Sequence, residues 1–379
     1  MLTIRHVRDD LVTRIEPASL KRALRASGFV WIDLAAPTAD EEAILDGPGL
    51  DIEPMALENM REHVHLPKLD VFDDEALLTV HAIDLEPSAV ELRTIELDIV
   101  LKRKLIVTWH RTEVPAVTAV GERLDLAMDA PDRVGELLYR ILDVMTDVLV
   151  PFVDYLDRRL DLIEEDILGT PTQATRREIY QLQRDVIQLR RVVVPQAEVI
   201  RRLGREAVGV IDRQDTALFN DVYDHLYRVT GLSDSYHQLL SSALDNYRSA
   251  LNDETNKMFK VLTLFSAMLL PVTFIAGIYG MNFTFMPELD EKWGYWAALG
   301  LMAAIILGEL VWFRRKGWIG GRAEEDAEAR RARREAVERI EIPVLDKVIR
   351  APAYGARAIT RAGVKVGRGL GRLVRRRRR

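Results

Sequence analysis

The sequence has 379 residues, 48% of them hydrophobic and 30% charged, and it contains no cysteine. The length exceeds that of one compact domain, and the lack of cysteine excludes disulfide frameworks, thiolate metal sites and thiol nucleophiles. Charge is divided unevenly: residues 314–379 carry 21 Lys and Arg against 8 Asp and Glu, whereas residues 1–313 carry 32 against 51. We therefore expect the two regions to face different surroundings.

Residues 1–130 alternate between short β-rich runs and helix-like segments. The β-rich runs cover 29–34, 76–85 and 95–110, and the helix-like segments cover 39–45 and 53–61. This mixture predicts an α+β or α/β domain. The first residues carry acids and arginines instead of the apolar stretch of a signal peptide, so we expect this domain to stay in the cytoplasm.

Between residues 131 and 257, Leu and Ile recur every three or four positions with charges between them, which predicts long cytoplasmic helices. We expect three, at 134–168, at 172–205 and from 213 onward into the membrane. Acidic residues are dense on the first and third. Most of these acids are typical of a solvated helix face. Acids close to the mouth of a membrane pore would instead concentrate divalent cations, and Asp245 is the candidate for the cytoplasmic mouth of such a pore.

Two apolar segments are long enough to cross a bilayer, which takes about 20 helical residues. The first, 261–279, has no charged residue, and the second, 294–313, has only Glu309. We predict transmembrane helices at 258–280 and 294–313, joined by an outer loop at 281–293. Lys and Arg flank the pair on the side of both termini, so we expect a multi-pass protein of the inner (plasma) membrane with cytoplasmic termini. A buried hairpin of a soluble protein is the less favoured alternative.

Small and polar residues recur along one face of the first membrane segment. The positions on this face are Asn256, Thr263, Ser266, Leu270, Thr273, Gly277 and Gly280, of which Leu270 alone is large and apolar. Successive positions are three, four or seven residues apart, which places them on one side of a helix. Such a stripe is typical either of helix packing or of a pore lining. Two helices cannot enclose a pore, so transport would require a ring of subunits with this face inward.

The stripe ends at Tyr279-Gly280-Met281-Asn282, and here the sequence resembles the CorA-type magnesium channels, which carry a Gly-Met-Asn motif at the outer end of the first membrane helix. The resemblance continues over 256–318 and, in the cytoplasmic part, through Leu-Pro-Lys at 66–68, DVYDH at 221–225 and LDNY at 244–247. It implies a funnel-shaped homopentamer with a single pore, and Mg²⁺ as both the transported and the regulatory ion.

The resemblance also implies roles for individual residues. In the pore, it places a selectivity filter at Gly280, Met281 and Asn282, polar positions at Asn256 and Thr273, and a hydrophobic constriction at Phe259, Leu262 and Leu270. At the outer mouth it places Glu288, an acid that attracts cations. In the cytoplasmic part it places a regulatory metal site between subunits, at Asp221 and Glu58. The family's usual Leu-Glu-Asp reads Leu57-Glu58-Asn59 here, so Glu58 would have to compensate for a missing carboxylate. Because Mg²⁺ loses water reluctantly, a ring of amide and carbonyl oxygens would hold it hydrated.

The basic tail, 314–379, is expected to lie on anionic lipid of the inner leaflet, where each basic residue gains about 1 kcal/mol; unspecific binding of acids by a disordered tail is the alternative. His63 and His65 belong to no catalytic motif, so we expect no enzyme, and nothing indicates a nucleic acid partner. Two other functions remain open: a zinc transporter of the same superfamily, and a membrane-anchored scaffold. Co²⁺ and Ni²⁺ are further possible cargo.

Overall fold

The computed structural model describes residues 1–8, 11–61, 65–84, 92–126, 130–169, 171–206, 211–281 and 293–318. Within these residues the chain divides into two compact units. The first contains Met1–Arg159 and Tyr180–Leu240, and the second contains Leu160–Ile179 and the residues from Ser241 onward.

A seven-stranded sheet forms the centre of the first unit. Its strands are β1 (Leu2–Arg8), β2 (Leu11–Arg14), β3 (Phe29–Ala35), β4 (Lys68–Val71), β5 (Glu75–Asp84), β6 (Arg93–Lys102) and β7 (Leu105–His110). They lie in the order β2-β1-β3-β7-β6-β5-β4, and every neighbouring pair is antiparallel except β3 and β7. The β-rich run at 95–110 therefore folds as a hairpin, β6 and β7, that turns at Arg103 and Lys104.

Short helices cover the sheet. They are α1 (Leu20–Arg25), α2 (Ala39–Glu42), α3 (Pro54–Arg61) and α4 (Pro115–Asp125). Alternate residues of β3, among them Val30, Ile32 and Leu34, are fully buried against α1 and α3. On β3, Trp31 is also fully buried; its indole donates a hydrogen bond of 3.0 Å to Thr108 Oγ1, and the guanidinium of Arg5 lies 4.7 Å from its ring. This unit completes its core within one chain.

Five further helices follow: α5 (Val134–Asp147), α6 (Leu149–Leu168), α7 (Gln173–Glu206), α8 (Thr216–Tyr279) and α9 (Gly294–Arg315). The prediction of one helix over 134–168 was wrong, because that segment is broken at Val148 into α5 and α6. Pro151 explains the break: it has no backbone N–H to donate to the carbonyl of Asp147, four residues earlier. The other two predicted helices are present as α7 and α8.

In the first unit, buried side chains of α7 bond to the sheet. Strand β4 pairs only with the first half of β5, which leaves the backbone of β5 open beyond Thr79. There the N–H of His81 donates to Gln196 Oε1 at 2.8 Å. The N–H of Leu92, just before β6, donates to Asp185 Oδ1 at 3.1 Å. These two bonds fix α7 beside the edge of the sheet.

Among the described residues, two helical segments are long and apolar enough to cross a membrane, and both lie in the second unit: the last part of α8, and α9. In the most apolar stretch of each helix, 0% of the residues of α8 and 6% of those of α9 are buried within the protein. This exposure argues against a hairpin buried in the core of a soluble protein. Lys260 Nζ lies 5.8 Å from the ring of Trp318, so the beginning of the apolar part of α8 is next to the end of α9. The basic residues that flank the two helices therefore lie on one side.

Candidate cation pathway and metal cluster

The polar face of α8 has hydroxyl groups whose hydrogens are used within the helix. Thr263 Oγ1 donates to the carbonyl of Phe259 at 2.8 Å and Ser266 Oγ to that of Leu262 at 3.0 Å; Thr273 Oγ1 lies 2.8 and 3.0 Å from the carbonyls of Leu269 and Leu270. Each hydroxyl oxygen keeps lone pairs that can accept hydrogen bonds. Such a face suits the water molecules around a hydrated cation.

The end of α8 offers carbonyl groups to a cation. The helix ends at Tyr279, and the N–H groups of Gly280 and Met281 bond to the carbonyls of Ala276 and Ile278 at 3.0 and 3.1 Å. Each of these carbonyl oxygens keeps a second lone pair, and the last carbonyls of a helix carry the negative end of the helix dipole, which attracts cations. Asn282 and Glu288 lie outside the described residues, so their roles stay predictions.

The apolar positions expected to form the constriction are exposed in the single chain. Phe259 and Leu262 are each 62% exposed and Leu270 is 70% exposed, and Asn256, one turn before Phe259, is exposed as well. Large exposed apolar side chains in this number require lipid or another protein surface to cover them. Their place in a pore remains a prediction, because a single chain cannot enclose one.

In the first unit, two helices bring together a group of metal-ligating side chains that we call the α5/α8 cluster: Asp143 and Asp147 on α5, and His225 on α8. One ligand atom from each lies within 4.8 Å of the other two. Asp221, one turn before His225 on α8, has its Oδ1 4.0 Å from His225 Nε2. The predicted metal residue Asp221 therefore lies at the edge of a cluster that sequence analysis did not assemble.

The α5/α8 cluster carries an excess of negative charge. Burial, followed by the like charges of Asp143 and Asp221, raises the pKa of Asp147 to about 7. Burial also raises the pKa of Asp143, against the opposing effect of His225. Burial followed by the neighbouring carboxylates raises the pKa of Tyr139 to about 12. A bound cation would reverse these shifts for the carboxyls, because it favours their charged form.

Among the described residues, neither Glu58 nor Asp245 belongs to the α5/α8 cluster. Glu58 is exposed on α3 and lines an open cavity of about 660 Å³ together with Asp46, Asp51 and Arg61. Within the described part of the chain, the metal-ligating group does not include it. A pairing of Glu58 with Asp221 across two subunits therefore stays a prediction. Asp245 is exposed in the second unit, 3.2 Å from Arg248.

The sequence did contain a signal for the α5/α8 cluster. Asp143 and Asp147 are four residues apart, as are Asp221 and His225, so each pair shares one helix face. Both pairs were interpreted as part of a charged surface or of the DVYDH motif. What could not be foreseen was that the two faces meet.

Comparison with known proteins decides the family. The family described as CorA-like Mg²⁺ transporter protein matches residues 26–315. The chain belongs to this family. Among CorA-like relatives, the Bacillus subtilis protein YfjQ is 36% identical over 294 residues, which cover 76% of this chain and 90% of that protein. The cobalt/magnesium transport protein CorA of Thermotoga maritima is 29% identical over 291 residues, covering 76% and 83%.

The solved structure of the CorA magnesium transporter from Methanocaldococcus jannaschii has the same fold. It superposes with a TM-score of 0.72 at 23% sequence identity, covering 84% of this chain and 99% of that one. The predicted fold class, an α+β soluble domain followed by long helices and two transmembrane candidates, is thereby confirmed. Membership of the CorA-like family also makes this a membrane protein of a divalent metal transporter family, which favours transport over catalysis.

Proposed function

We propose that the protein is a channel for divalent cations, chiefly Mg²⁺ entering the cell, in which α8 lines the pore. The observation that supports this most is the face of α8, where hydroxyl oxygens, exposed apolar side chains and a carbonyl-rich helix end follow one another. Acceptor groups of this kind hold a hydrated ion through its water shell, and an apolar constriction can close by losing its water.

The pore requires several copies of the chain, and we propose the homopentamer of the CorA-type channels. The exposed residues Phe259, Leu262 and Leu270 would then face each other around the axis. We place both termini in the cytoplasm, since Lys257 and Lys260 lie on the same side as Arg314 and Arg315. In this orientation the filter at Gly280, Met281 and Asn282 opens to the outside.

We propose that cytoplasmic Mg²⁺ closes the channel by binding near Asp221, with Glu58 of a neighbouring subunit as its partner. The crowded carboxylates around Asp221 support a cation in this place.

We also propose that the basic tail, residues 314–379, binds to anionic lipid on the cytoplasmic side of the membrane. In a flotation assay with the full-length protein in nanodiscs and vesicles containing phosphatidylserine, removal of 343–379 should reduce vesicle binding.

The test of transport is uptake of Mg²⁺ and Zn²⁺ into proteoliposomes, with Asn282→Ala as the variant. Mg²⁺ uptake that is lost in Asn282→Ala but kept in Gln238→Ala, which removes an exposed amide elsewhere on α8, would support the channel. Uptake of Zn²⁺ that depends on a proton gradient, with little Mg²⁺ movement, would favour the zinc transporter. No uptake in either case would favour the scaffold.

A further inference from the structure

Glu309 is the only acidic or basic residue of α9 before Arg314, on a helix that is apolar enough to cross a membrane. Arg314 and Arg315 follow five and six positions later, which places them on other sides of the helix, and Lys316 is about two turns away. The residues three and four positions from Glu309 are its neighbours on the helix surface, and all are apolar: Ile305, Ile306, Trp312 and Phe313. Within α9, Glu309 therefore has no cation beside it.

The side chain of Glu309 lies on the least exposed face of α9. After Gly294, five residues of this helix are buried or half-buried, and they lie three or four positions apart: Ala298, Met302, Ile305, Glu309 and Phe313. Among the described residues, Oε2 of Glu309 is shielded from solvent and has no hydrogen-bond partner. A carboxylate oxygen in such a place is costly unless something neutralises or binds it.

The neighbouring helix α8 brings no charge to this place. Its last cation, Lys260, has its Nζ 5.8 Å from the ring of Trp318, and the run 261–279 that follows has no charged residue. Glu309 is six residues before the end of α9, or about 9 Å along the axis, which places it beside this uncharged run. The residues of the run that are not fully exposed are all apolar: Leu264, Ala267, Met268, Pro271, Val272 and Ile275.

The direction of the Glu309 side chain takes it further from water. In an α-helix the bond from Cα to Cβ is tilted toward the N-terminus, so Glu309 extends toward Ile305 and away from Arg314. A carboxylate that reached the polar boundary at the end of α9 would have to extend the other way. A charged side chain in the apolar part of a membrane is costly unless it is paired, whereas a protonated carboxyl is uncharged.

We propose that Glu309 is a proton-binding site within the membrane. The proton comes from water and neutralises the carboxylate, which lets the side chain remain in the contact between α9 and α8. Loss of the proton leaves a charge there and favours a movement of α9 that exposes the carboxylate to water. Proton binding stands on the position of Glu309 alone, whereas its consequence, Mg²⁺ influx that depends on this carboxyl, rests on the proposed transport function.

The test is modification of the full-length wild type in proteoliposomes by dicyclohexylcarbodiimide, an apolar reagent that reacts with protonated carboxyls. The carboxyl proton moves to a nitrogen of the reagent while the carboxyl oxygen bonds to its central carbon, and no group leaves. Mass spectrometry compares Glu309 with Glu254, which is exposed on α8 before the apolar part. In water a glutamate has a reference pKa of about 4.3, so between about pH 6 and about pH 7 labelling of Glu254 should fall about tenfold. Labelling of Glu309 should stay level.

This comparison of pH slopes does not depend on how strongly the reagent concentrates in the lipid, nor on the folding of a variant. A tenfold fall at Glu309 as well, or no labelling there, would overturn the proton site. Mg²⁺ uptake by the same proteoliposomes is measured before and after treatment, with Glu309→Gln as the variant that cannot react at this position. We expect the reagent to cause loss of uptake in the wild type but not in Glu309→Gln.

The two readouts separate this inference from the channel itself. Level labelling of Glu309 in a protein that shows no uptake before treatment would support the proton site and contradict the channel. Level labelling with uptake that the reagent leaves unchanged would support the site and contradict its effect on transport. Uptake together with a tenfold fall in Glu309 labelling would support the channel and overturn the site.

Discussion

The sheet of the first unit and the apolar part of α8 differ in the hydrogen-bond partners of their polar side chains and in the exposure of their apolar side chains. In the sheet, buried polar groups pair with each other: Thr79 Oγ1 donates to Asp98 Oδ1 at 2.6 Å, and the indole of Trp31 donates to Thr108. Along the apolar part of α8, the hydroxyls of Thr263, Ser266 and Thr273 bond to carbonyls of their own helix, and the large apolar side chains are exposed. The sheet buries its side chains within one chain, whereas the large apolar side chains of α8 require lipid or another protein surface to cover them.

This comparison is tested most strongly by removing one large apolar side chain from each region. Trp31→Ala should lower the free energy of unfolding by about 3–5 kcal/mol, because it leaves a cavity and removes the contacts with Thr108 and Arg5. Leu270→Ala should lower it by less than about 1 kcal/mol, since that side chain is 70% exposed. Thermal unfolding of the full-length protein in detergent measures both. Equal losses would contradict the contrast between the regions.

A second prediction concerns the buried carboxyl of Asp98. Burial raises its pKa from 3.8 to about 7, so between these values the folded protein holds a proton that the unfolded chain has released. Asp98 therefore makes stability fall as pH rises through this window, by at most about 4 kcal/mol. Asp98→Asn keeps an acceptor for Thr79 and should stabilise the protein at pH 8 but not at pH 4. A difference in melting temperature that does not depend on pH would contradict this.

A third prediction, with the smallest expected effect on stability, compares a threonine that packs inside the protein with a threonine on the proposed pore face. Thr146 and Thr273 each bond through Oγ1 to a carbonyl four residues earlier, but Thr146 is buried on α5 and Thr273 is exposed on α8. Thr146→Val should cost about 1 kcal/mol of stability and leave Mg²⁺ uptake unchanged. Thr273→Val should leave stability unchanged and reduce uptake. Uptake that is insensitive to Thr273→Val would remove this residue from the pathway.

Much of the fold could be predicted from the sequence, because its signals are local. The uncharged run at 261–279 ends with α8 at Tyr279, and the second run begins with α9 at Gly294. The break at Val148 was missed because the spacing of Leu and Ile continues through it. Sheet order was also not foreseeable, since β3 pairs with β7, about 75 residues later, instead of with a neighbour in sequence.

The candidate site was predictable only in part, for the same reason. The polar face of α8 follows from the period of one helix, so residues such as Thr263 and Thr273 could be grouped in advance. The α5/α8 cluster depends on contact between helices whose residues are about 80 positions apart. No periodicity within either helix indicates which face the other will meet.

The central claim, that one face of α8 lines a pore, can be tested directly because the chain contains no cysteine. We would introduce Thr273→Cys on the polar face and Phe265→Cys on another face of the same helix, and treat proteoliposomes with a cationic thiol reagent. Phe265 is 61% exposed, so access alone does not distinguish the two positions. We predict that Mg²⁺ uptake is blocked in Thr273→Cys and unaffected in Phe265→Cys. Equal block at both positions, or none at Thr273→Cys, would contradict a pore lined by this face.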